Sequence, residues 1–340
     1  MKAAITSALG KPDDVTRCVE VPEPGSPATD EATVAIDASP INPSDLLYLT
    51  GGHFTRPTLP LISGGEAVGR VLAAGAGVQH LTSGDRVIVQ ALGNWVERRN
   101  VKAAELVRVP DAGPVQQFAT LRVAPLTAFA LCYLARDLQR GDWVIQNAAN
   151  SAVGALFTRF SREKGLRTVN IIRQQDATPA VIKRGGDVAV LDGEGLAERV
   201  AAATNGARIT YGIDAVGGQA TFNLCRCMAP GGRVLLYGML SGEPCVIHPA
   251  DLIAKGLTIG GFRLKGFFDA APAGLLQDAY AQLAGRVAAG EILTEIEAEY
   301  PIEQIREALA HAQRRRTGKI LLRMGQDGLT RETICLPLGG

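Results

Sequence analysis

Beyond about residue 120, short apolar runs closed by glycine, asparagine or aspartate alternate with stretches of helical spacing. The runs predict strands at 144–147, 168–172, 187–191, 209–214, 233–237 and 257–261. Helices fall between them, 196–204 and 219–228 among them. Six strands with intervening helices are what a doubly wound α/β sheet requires. Before about residue 118 the rhythm differs. Short strands at 31–36, 69–74 and 85–90 are set off by Gly, Pro and Asp, as in an antiparallel, partly closed β domain. After Gly266 the pattern predicts a helix at 274–289, an apolar stretch at 292–298, a helix at 302–313 and a strand at 319–324. That part is too short to fold alone, so it is expected to return to the first domain. The expected organisation is one domain of 1–120 with 266–340 and a second of 121–265. The tail 325–340 shows no period.

One segment carries candidate chemistry. Trp143-Val-Ile-Gln-Asn-Ala-Ala-Asn-Ser-Ala-Val-Gly154 predicts an apolar strand, a turn of small residues, and a helix that opens at Ser151 and runs to about Lys164. A second strand, 167–172, follows and ends on Arg173. Strand, tight turn, helix, strand is the dinucleotide-binding unit. Small residues let a pyrophosphate approach the backbone at a helix N-terminus, where N–H groups and the dipole favour an anion. Ala148, Ser151 and Gly154 stand where a glycine-rich turn would have Gly. The plainer alternative is an ordinary buried βαβ turn. Roughly 20 positions after such a turn, an acid would bond a ribose diol, whereas an Arg accommodates a 2′-phosphate. Arg173 lies there and no carboxylate occupies the strand end, which points to NADPH; a solvated surface arginine is the alternative.

Composition adds limits. At 340 residues, two domains are the prior. A hydrophobic fraction of 46%, a charged fraction of 20% and a net charge of +1 give no reason to invoke nucleic acid or an acidic membrane surface. No apolar run is long enough to span a bilayer. Met1-Lys-Ala-Ala-Ile-Thr looks like a first strand and not a signal peptide, so a cytoplasmic location is expected. The six cysteines form no C-x-x-C pair and are expected to pack as small hydrophobes. Cys225 and Cys227, one residue apart in a predicted helix, face different ways and cannot share a metal readily.

The order of parts resembles the medium-chain dehydrogenase/reductase superfamily over about residues 1–323. The superfamily markers are Gly64-Gly-Glu-Ala-Val-Gly69-Arg-Val71, Gly75-Ala-Gly-Val78 and Gly84-Asp-Arg-Val87. Ile41-Asn-Pro-Ser-Asp45, Asn147-Ala-Ala-Asn-Ser-Ala-Val-Gly154, Asn170-Ile-Ile-Arg173 and Leu236-Tyr-Gly-Met239 are similar to the zinc-independent 2-enoyl thioester reductases of mitochondrial type. The resemblance implies a GroES-like, partly closed β domain beside a doubly wound Rossmann domain, and NADPH as cofactor. On matching positions it implies a cofactor site of Thr127, Asn150, Ser151, Ala152, Val153, Gly154, Arg173, Gln174, Gln175, Tyr237, Gly238, Met239, Phe262, Arg263, Leu264 and Lys319. Asn42, Phe54 and Arg263 are the implied substrate residues. It also implies a homodimer that pairs the last Rossmann strand with its two-fold mate.

Zinc-dependent members carry a Cys in the early helix, a His before the Glu of the glycine-rich strand and a later lobe of close thiols. Here those positions read Asn42-Pro-Ser-Asp45 and Gly65, with no Cys between Cys18 and Cys132. A tetrahedral zinc site lacks its sulfur and imidazole, so no metal is expected. The implied activity is therefore reduction of an activated C=C bond, which needs an oxyanion donor and a proton source and no Lewis acid. Relatives place a Tyr proton donor shortly before the Leu-Pro that leads into the glycine-rich strand. An ungapped count back from Leu59-Pro60 puts His53 there. His53 is the first candidate acid and Tyr48 the second; a plain loop histidine is the alternative. Two further positions depart from the group: Ala124 stands for Asn before Pro-Leu-Thr-Ala, and Arg263 for a pocket Trp. Arg263 could bind a carboxylate or phosphate, or face solvent. The alternatives on this scaffold are a quinone or enone oxidoreductase and a non-catalytic NADPH-binding relative.

Overall fold

A computed structural model describes residues 1–325; Cys335 and the rest of the expected domain segment to residue 340 lie outside the described residues. The chain opens with β1 (Lys2–Thr6), α1 (Pro12–Val15) and β2 (Thr16–Glu20), and continues through β3 (Glu31–Ile41) and α2 (Pro43–Thr50). β4 (Leu61–Ile62), β5 (Ala67–Ala74), β6 (Arg86–Val89), β7 (Arg98–Lys102) and β8 (Leu106–Arg108) complete the N-terminal part. Strand β3 alternates as its residues dictate, with Ala32, Val34, Ile36 and Ala38 buried. Helix α2 is fixed at both ends. Asn42 caps it, Pro43 fits the first turn, Asp45 Oδ2 accepts from Asn42 N at 2.8 Å, and Gly51 ends it at φ 79°.

The chain then passes through α3 (Val115–Ala119) and α4 (Ala124–Leu134) into β9 (Trp143–Gln146), α5 (Ala152–Glu163), β10 (Arg167–Ile172), α6 (Thr178–Lys183), β11 (Val188–Leu191), α7 (Leu196–Thr204), β12 (Ile209–Asp214), α8 (Gly218–Arg226), β13 (Arg233–Leu236), α9 (Pro249–Ile253) and β14 (Thr258–Gly261). These six strands form one parallel sheet in the order β11-β10-β9-β12-β13-β14. The order reverses between β9 and β12, and ligands of such sheets bind outside the strand ends at that point. Helix α5 buries Leu156, Phe157 and Phe160 and turns Arg159 and Glu163 outward. Each such apolar side chain contributes roughly 1.5–3 kcal/mol when buried.

The last segment runs α10 (Leu264–Ala270), α11 (Leu275–Ala288), β15 (Ile296–Pro301), α12 (Ile305–Ala312) and β16 (Lys319–Arg323). Strand β16 pairs with β15 and joins β3, giving a seven-stranded sheet with most of the N-terminal strands. The antiparallel register sets Ile320 opposite Ile41, so Lys319 arrives beside Asn42. One core cluster runs through Ala38, Val68, Ile88 and Phe118 into α4, α5 and α11, tying the two sheets together.

Two details differ from the sequence pattern. The apolar stretch 292–298 is divided: Ile292 is a buried core residue after the α11 turn, and the strand begins only at Ile296. Cys245 is exposed and does not pack as a small hydrophobe, since its segment crosses the surface between β13 and α9. Cys132 and Cys225 are buried, and Cys18 and Cys227 half-buried.

Candidate functional site in the interdomain cleft

A cleft of about 3030 Å³ lies between the two sheets. Its α/β wall begins at the switch point. Asn147 Nδ2 donates to Asp214 Oδ1 at 2.6 Å, and Ala215 N donates to Asn147 Oδ1 at 2.8 Å. Asp214 also receives Thr221 Oγ1 at 2.5 Å and Val216 N at 2.7 Å, so one buried carboxylate organises the ends of β9 and β12. Ala148 adopts φ 48°, a left-handed conformation uncommon for a residue with a Cβ. Ser151 caps α5, accepting from Gly154 N at 3.1 Å. A Cβ on Gly154 would lie 2.7 Å from Ala148 O, so only glycine lets the helix pack this close beneath the turn.

Asn150, Ser151, Ala152 and Val153 line the cleft, and Gly154 is buried behind them. Arg173 leaves β10 exposed at one end of the cleft, with no carboxylate within ion-pair distance among the described residues. Gln174 lines the cleft; Gln175 starts a 3-10 turn and does not. Toward the other end, Thr127, Tyr237, Gly238, Met239, Phe262, Arg263 and Leu264 line it. A Cβ on Gly238 would lie 2.5 Å from Ala215 O, which presses this loop against the switch point.

The opposite wall has a buried polar floor. Asn42 Nδ2 donates to Glu66 Oε1 at 3.0 Å, and Val123 N donates to Glu66 Oε2 at 2.7 Å. Lys319 Nζ donates to Asn42 Oδ1. Arg122 Nη1 donates to Gly65 O at 2.7 Å. Burial pushes the Glu66 carboxyl up and the Lys319 ammonium down. Asp45 is pushed up to about 6 by burial, against the Asn42 N–H that holds it charged. Asn42 and Lys319 both border the cleft, so the floor reaches its surface.

Above the floor, His53 and Phe54 line the cleft from the loop after α2. Tyr48 does not line it; its ring stands edge-on to His53 at 5.4 Å. Thr55 N donates to His53 Nδ1 at 3.2 Å, which leaves Nε2 as the protonated nitrogen. Burial lowers the His53 pKa, so the ring is neutral near pH 7. Phe54 stacks on His53 at 3.9 Å, and the Arg263 guanidinium reaches across from the other wall to 5.9 Å from the Phe54 ring.

Three contributors were absent from the sequence reading: Asp45, Glu66 and Arg122. The first two lie inside motifs already singled out, Asp45 between Ser44 and Leu46 and Glu66 between Gly65 and Ala67. The Asn147–Asp214 pair was equally unforeseen, because only the fold brings those strand ends together.

Two family models match the chain: the alcohol dehydrogenase GroES-like domain over residues 28–124 and the zinc-binding dehydrogenase domain over residues 152–278. The mitochondrial enoyl-[acyl-carrier-protein] reductase of Caenorhabditis elegans is 30% identical over 269 residues, covering 78% of each chain. The Bos taurus protein of the same name is 34% identical over 235 residues, covering 67% of this chain and 63% of that one's length. Among solved structures, a Bacillus thuringiensis protein described as an NADPH:quinone reductase superposes with a TM-score of 0.88 at 28% identity, covering 95% of this chain and 99% of its own. Motifs, sheet order and these matches agree, and the chain belongs to the medium-chain dehydrogenase/reductase superfamily, in its enoyl reductase and quinone oxidoreductase-like group.

Proposed function

We propose that this chain is an NADPH-dependent, zinc-independent reductase of activated carbon–carbon double bonds, acting on unsaturated thioesters. The observation that carries the reading is the cleft itself. One wall is a close-packed turn at a helix N-terminus with an arginine beyond it that has no carboxylate partner among the described residues, and the other is a buried polar floor beneath a neutral histidine.

The residues fit a phosphorylated dinucleotide. The turn at Ala148–Gly154 is small enough for a pyrophosphate to meet the start of α5. The Tyr237 hydroxyl is buried beside Ser151, and burial keeps it protonated and able to donate. Arg173 is placed for a 2′-phosphate. The residues do not fit zinc. Among the described residues no three His, Cys, Asp or Glu side chains are grouped as a metal requires.

NADPH, when bound, supplies a hydride to the β-carbon of the alkene. The charge that gathers on the substrate's carbonyl oxygen calls for a donor, and the α-carbon for a proton. His53 holds a proton at Nε2, because Nδ1 is occupied by the Thr55 N–H. The Asn42–Glu66–Lys319 floor holds the start of α2 and the start of α4 in fixed relation.

Quinone or enone reduction is the second reading, favoured by the likeness to the Bacillus thuringiensis protein. A screen of NADPH oxidation over crotonyl thioesters, enones, quinones and small unsaturated acids tests both. Turnover of none, with NADPH still bound, leaves a non-catalytic binding protein. Activity lost on chelation and restored by zinc overturns zinc independence.

The proposal includes a homodimer in the cytoplasm. Strand β14 is the edge of the parallel sheet and offers its open side to a two-fold mate. Exposed Leu252 and Ile253 on α9, just before it, would be covered there. A monomer by light scattering at micromolar concentration overturns the dimer, and recovery in a membrane or secreted fraction overturns the location. No helix among the described residues is long and apolar enough to cross a membrane.

A further inference from the structure

Arg263 is exposed and lines the cleft, and its guanidinium is aimed across it. Cζ lies 5.9 Å from the ring of Phe54 on the opposite wall. On its own side the guanidinium passes over Gly266, where a Cβ would stand 3.8 Å from Nε. The Phe54 ring in turn stacks on His53 at 3.9 Å, so one aromatic ring separates the guanidinium from the candidate acid.

Among the described residues the guanidinium has no carboxylate within ion-pair distance and no hydrogen-bond acceptor. Asp269, on the helix that Arg263 leads into, is held by Lys265 at 2.9 Å. The Phe54 ring attracts the charge weakly at this distance and accepts none of the in-plane N–H groups. The other cationic side chains on this side of the cleft are committed. Lys319 is buried and donates to Asn42 beside Glu66, and Arg122 gives an N–H to Gly65 O and faces Glu66. His53 is neutral. Arg263 therefore keeps its charge and its whole donor fork for something that enters the cleft.

A planar guanidinium meets a carboxylate or a phosphate with two parallel hydrogen bonds. Position separates the two. An alkene that takes a proton lies within hydrogen-bond reach of the acid. Arg263 stands one ring beyond that acid, so its anion belongs a few bonds from the double bond. A carboxylate on a short acyl chain reaches this place. The phosphates of a thioester carrier lie at the far end of a long arm.

We propose that Arg263 selects short activated alkenes that end in a free carboxylate, the monothioesters of unsaturated dicarboxylic acids. The inference rests on the reading of the cleft as an alkene-reducing site and narrows its substrate class.

The test uses the N-acetylcysteamine monothioester of 2-hexenedioic acid and its methyl ester. They share length and alkene and differ in one charge, and the carrier has no phosphate. The readout is the acid-to-ester ratio of kcat/KM in wild type, Arg263→Gln and Arg263→Lys. Expected is a wild-type preference for the acid and a fall in the ratio of about tenfold or more in Arg263→Gln, mostly in KM. Arg263→Lys, which keeps the charge and loses the fork, should retain part of the preference. No preference in wild type, or an unchanged ratio in Arg263→Gln, overturns the proposal and leaves Arg263 a cation that only contacts Phe54. Crotonyl-coenzyme A is measured alongside. A loss there with the hexenedioyl ratio unchanged assigns the guanidinium to the carrier's phosphates and overturns the carboxylate. If no thioester is reduced, the reading of the cleft as a reductase site fails on these substrates. Calorimetry of the saturated hexanedioyl monothioester and its methyl ester, on the protein with NADP, then still decides Arg263. Binding of the acid about tenfold weaker in Arg263→Gln, with the ester shifted less, supports it. Unchanged affinity for the acid overturns it.

Discussion

The two walls of the cleft are built on opposite principles. The α/β wall is contiguous: Asn147 to Gly154 and Arg173 lie within one strand–turn–helix–strand unit, and its shape comes from close backbone packing and a helix cap. The opposite wall is assembled from Asn42, Glu66, Val123 and Lys319, four separate stretches of chain, and is held by buried polar and charged groups. A local wall tolerates changes elsewhere in the chain. An assembled one concentrates its stability in whichever residue joins the most stretches, and that residue is Glu66.

The largest expected effect follows from this. Glu66→Ala removes the acceptor for Asn42 Nδ2 and Val123 N and leaves the Lys319 ammonium buried beside little negative charge. Loss of one partner from a buried charged group costs about 3–5 kcal/mol. Chemical denaturation should show a loss of that size. A change under about 1 kcal/mol would mean that Asp45 alone compensates Lys319, and that the floor is less cooperative than its hydrogen bonds indicate.

Asp45 sharpens the same contrast through pH. Burial raises its folded pKa to about 6 from an ordinary value of 3.8. Between those values the folded chain binds more protons than the unfolded one, so stability falls as pH rises through the window. The two-unit difference corresponds to a contribution on the order of 2–3 kcal/mol, present below about pH 4 and lost above about pH 6. Asp45→Asn keeps an acceptor for the Asn42 N–H and should flatten the dependence of stability on pH there. An unchanged slope would assign it to another group.

The same division explains what could be read from the sequence. The six parallel strands, the turn and its helix were legible because apolar periodicity and small turn residues are local signals. The return of 319–323 to the first sheet followed from chain-length reasoning. What Lys319 does there was not legible, since it depends on Ile320 pairing opposite Ile41, a register set across most of the chain. Tyr48 illustrates the limit from the other side. It lies on α2, but its neighbours Leu46 and Leu47 take the cleft-facing positions. Sequence spacing placed the phenol within reach of the site without fixing its direction.

His53 lines the cleft above the assembled wall's floor but stands outside the floor's hydrogen bonds. It sits on the loop after α2 and is held by one backbone N–H, a hydroxyl and two ring contacts. If it delivers the proton, His53→Ala should lower turnover about a hundredfold with NADPH affinity unchanged, as loss of a general acid does. His53→Tyr, which restores the residue of related reductases, should retain activity on enoyl thioesters. Deuterium from solvent should enter the α-carbon on one face in the wild type. Turnover of His53→Ala within about twofold of wild type, with a stereorandom α-centre in both proteins, would leave protonation to water.

The smallest expected effect falls on the local wall, at Arg173. The side chain is exposed and has no carboxylate partner among the described residues, so the fold does not depend on it. Its contribution is to charge. A guanidinium on a 2′-phosphate contributes a charge-assisted hydrogen bond of about 1.5–3 kcal/mol, weakened here by solvent. Arg173→Ala should therefore raise the KM for NADPH about tenfold and leave that for NADH nearly unchanged, because NADH has no phosphate there. Denaturation midpoints should not move. Arg184 borders the same end of the cleft but is paired with Glu295 at 2.9 Å, so Arg184→Ala is the matched control and should shift the NADPH constant less. Equal losses with NADH and NADPH would show that Arg173 supports the turn and not the phosphate. In that case the local wall, like the assembled one, would depend on a charge.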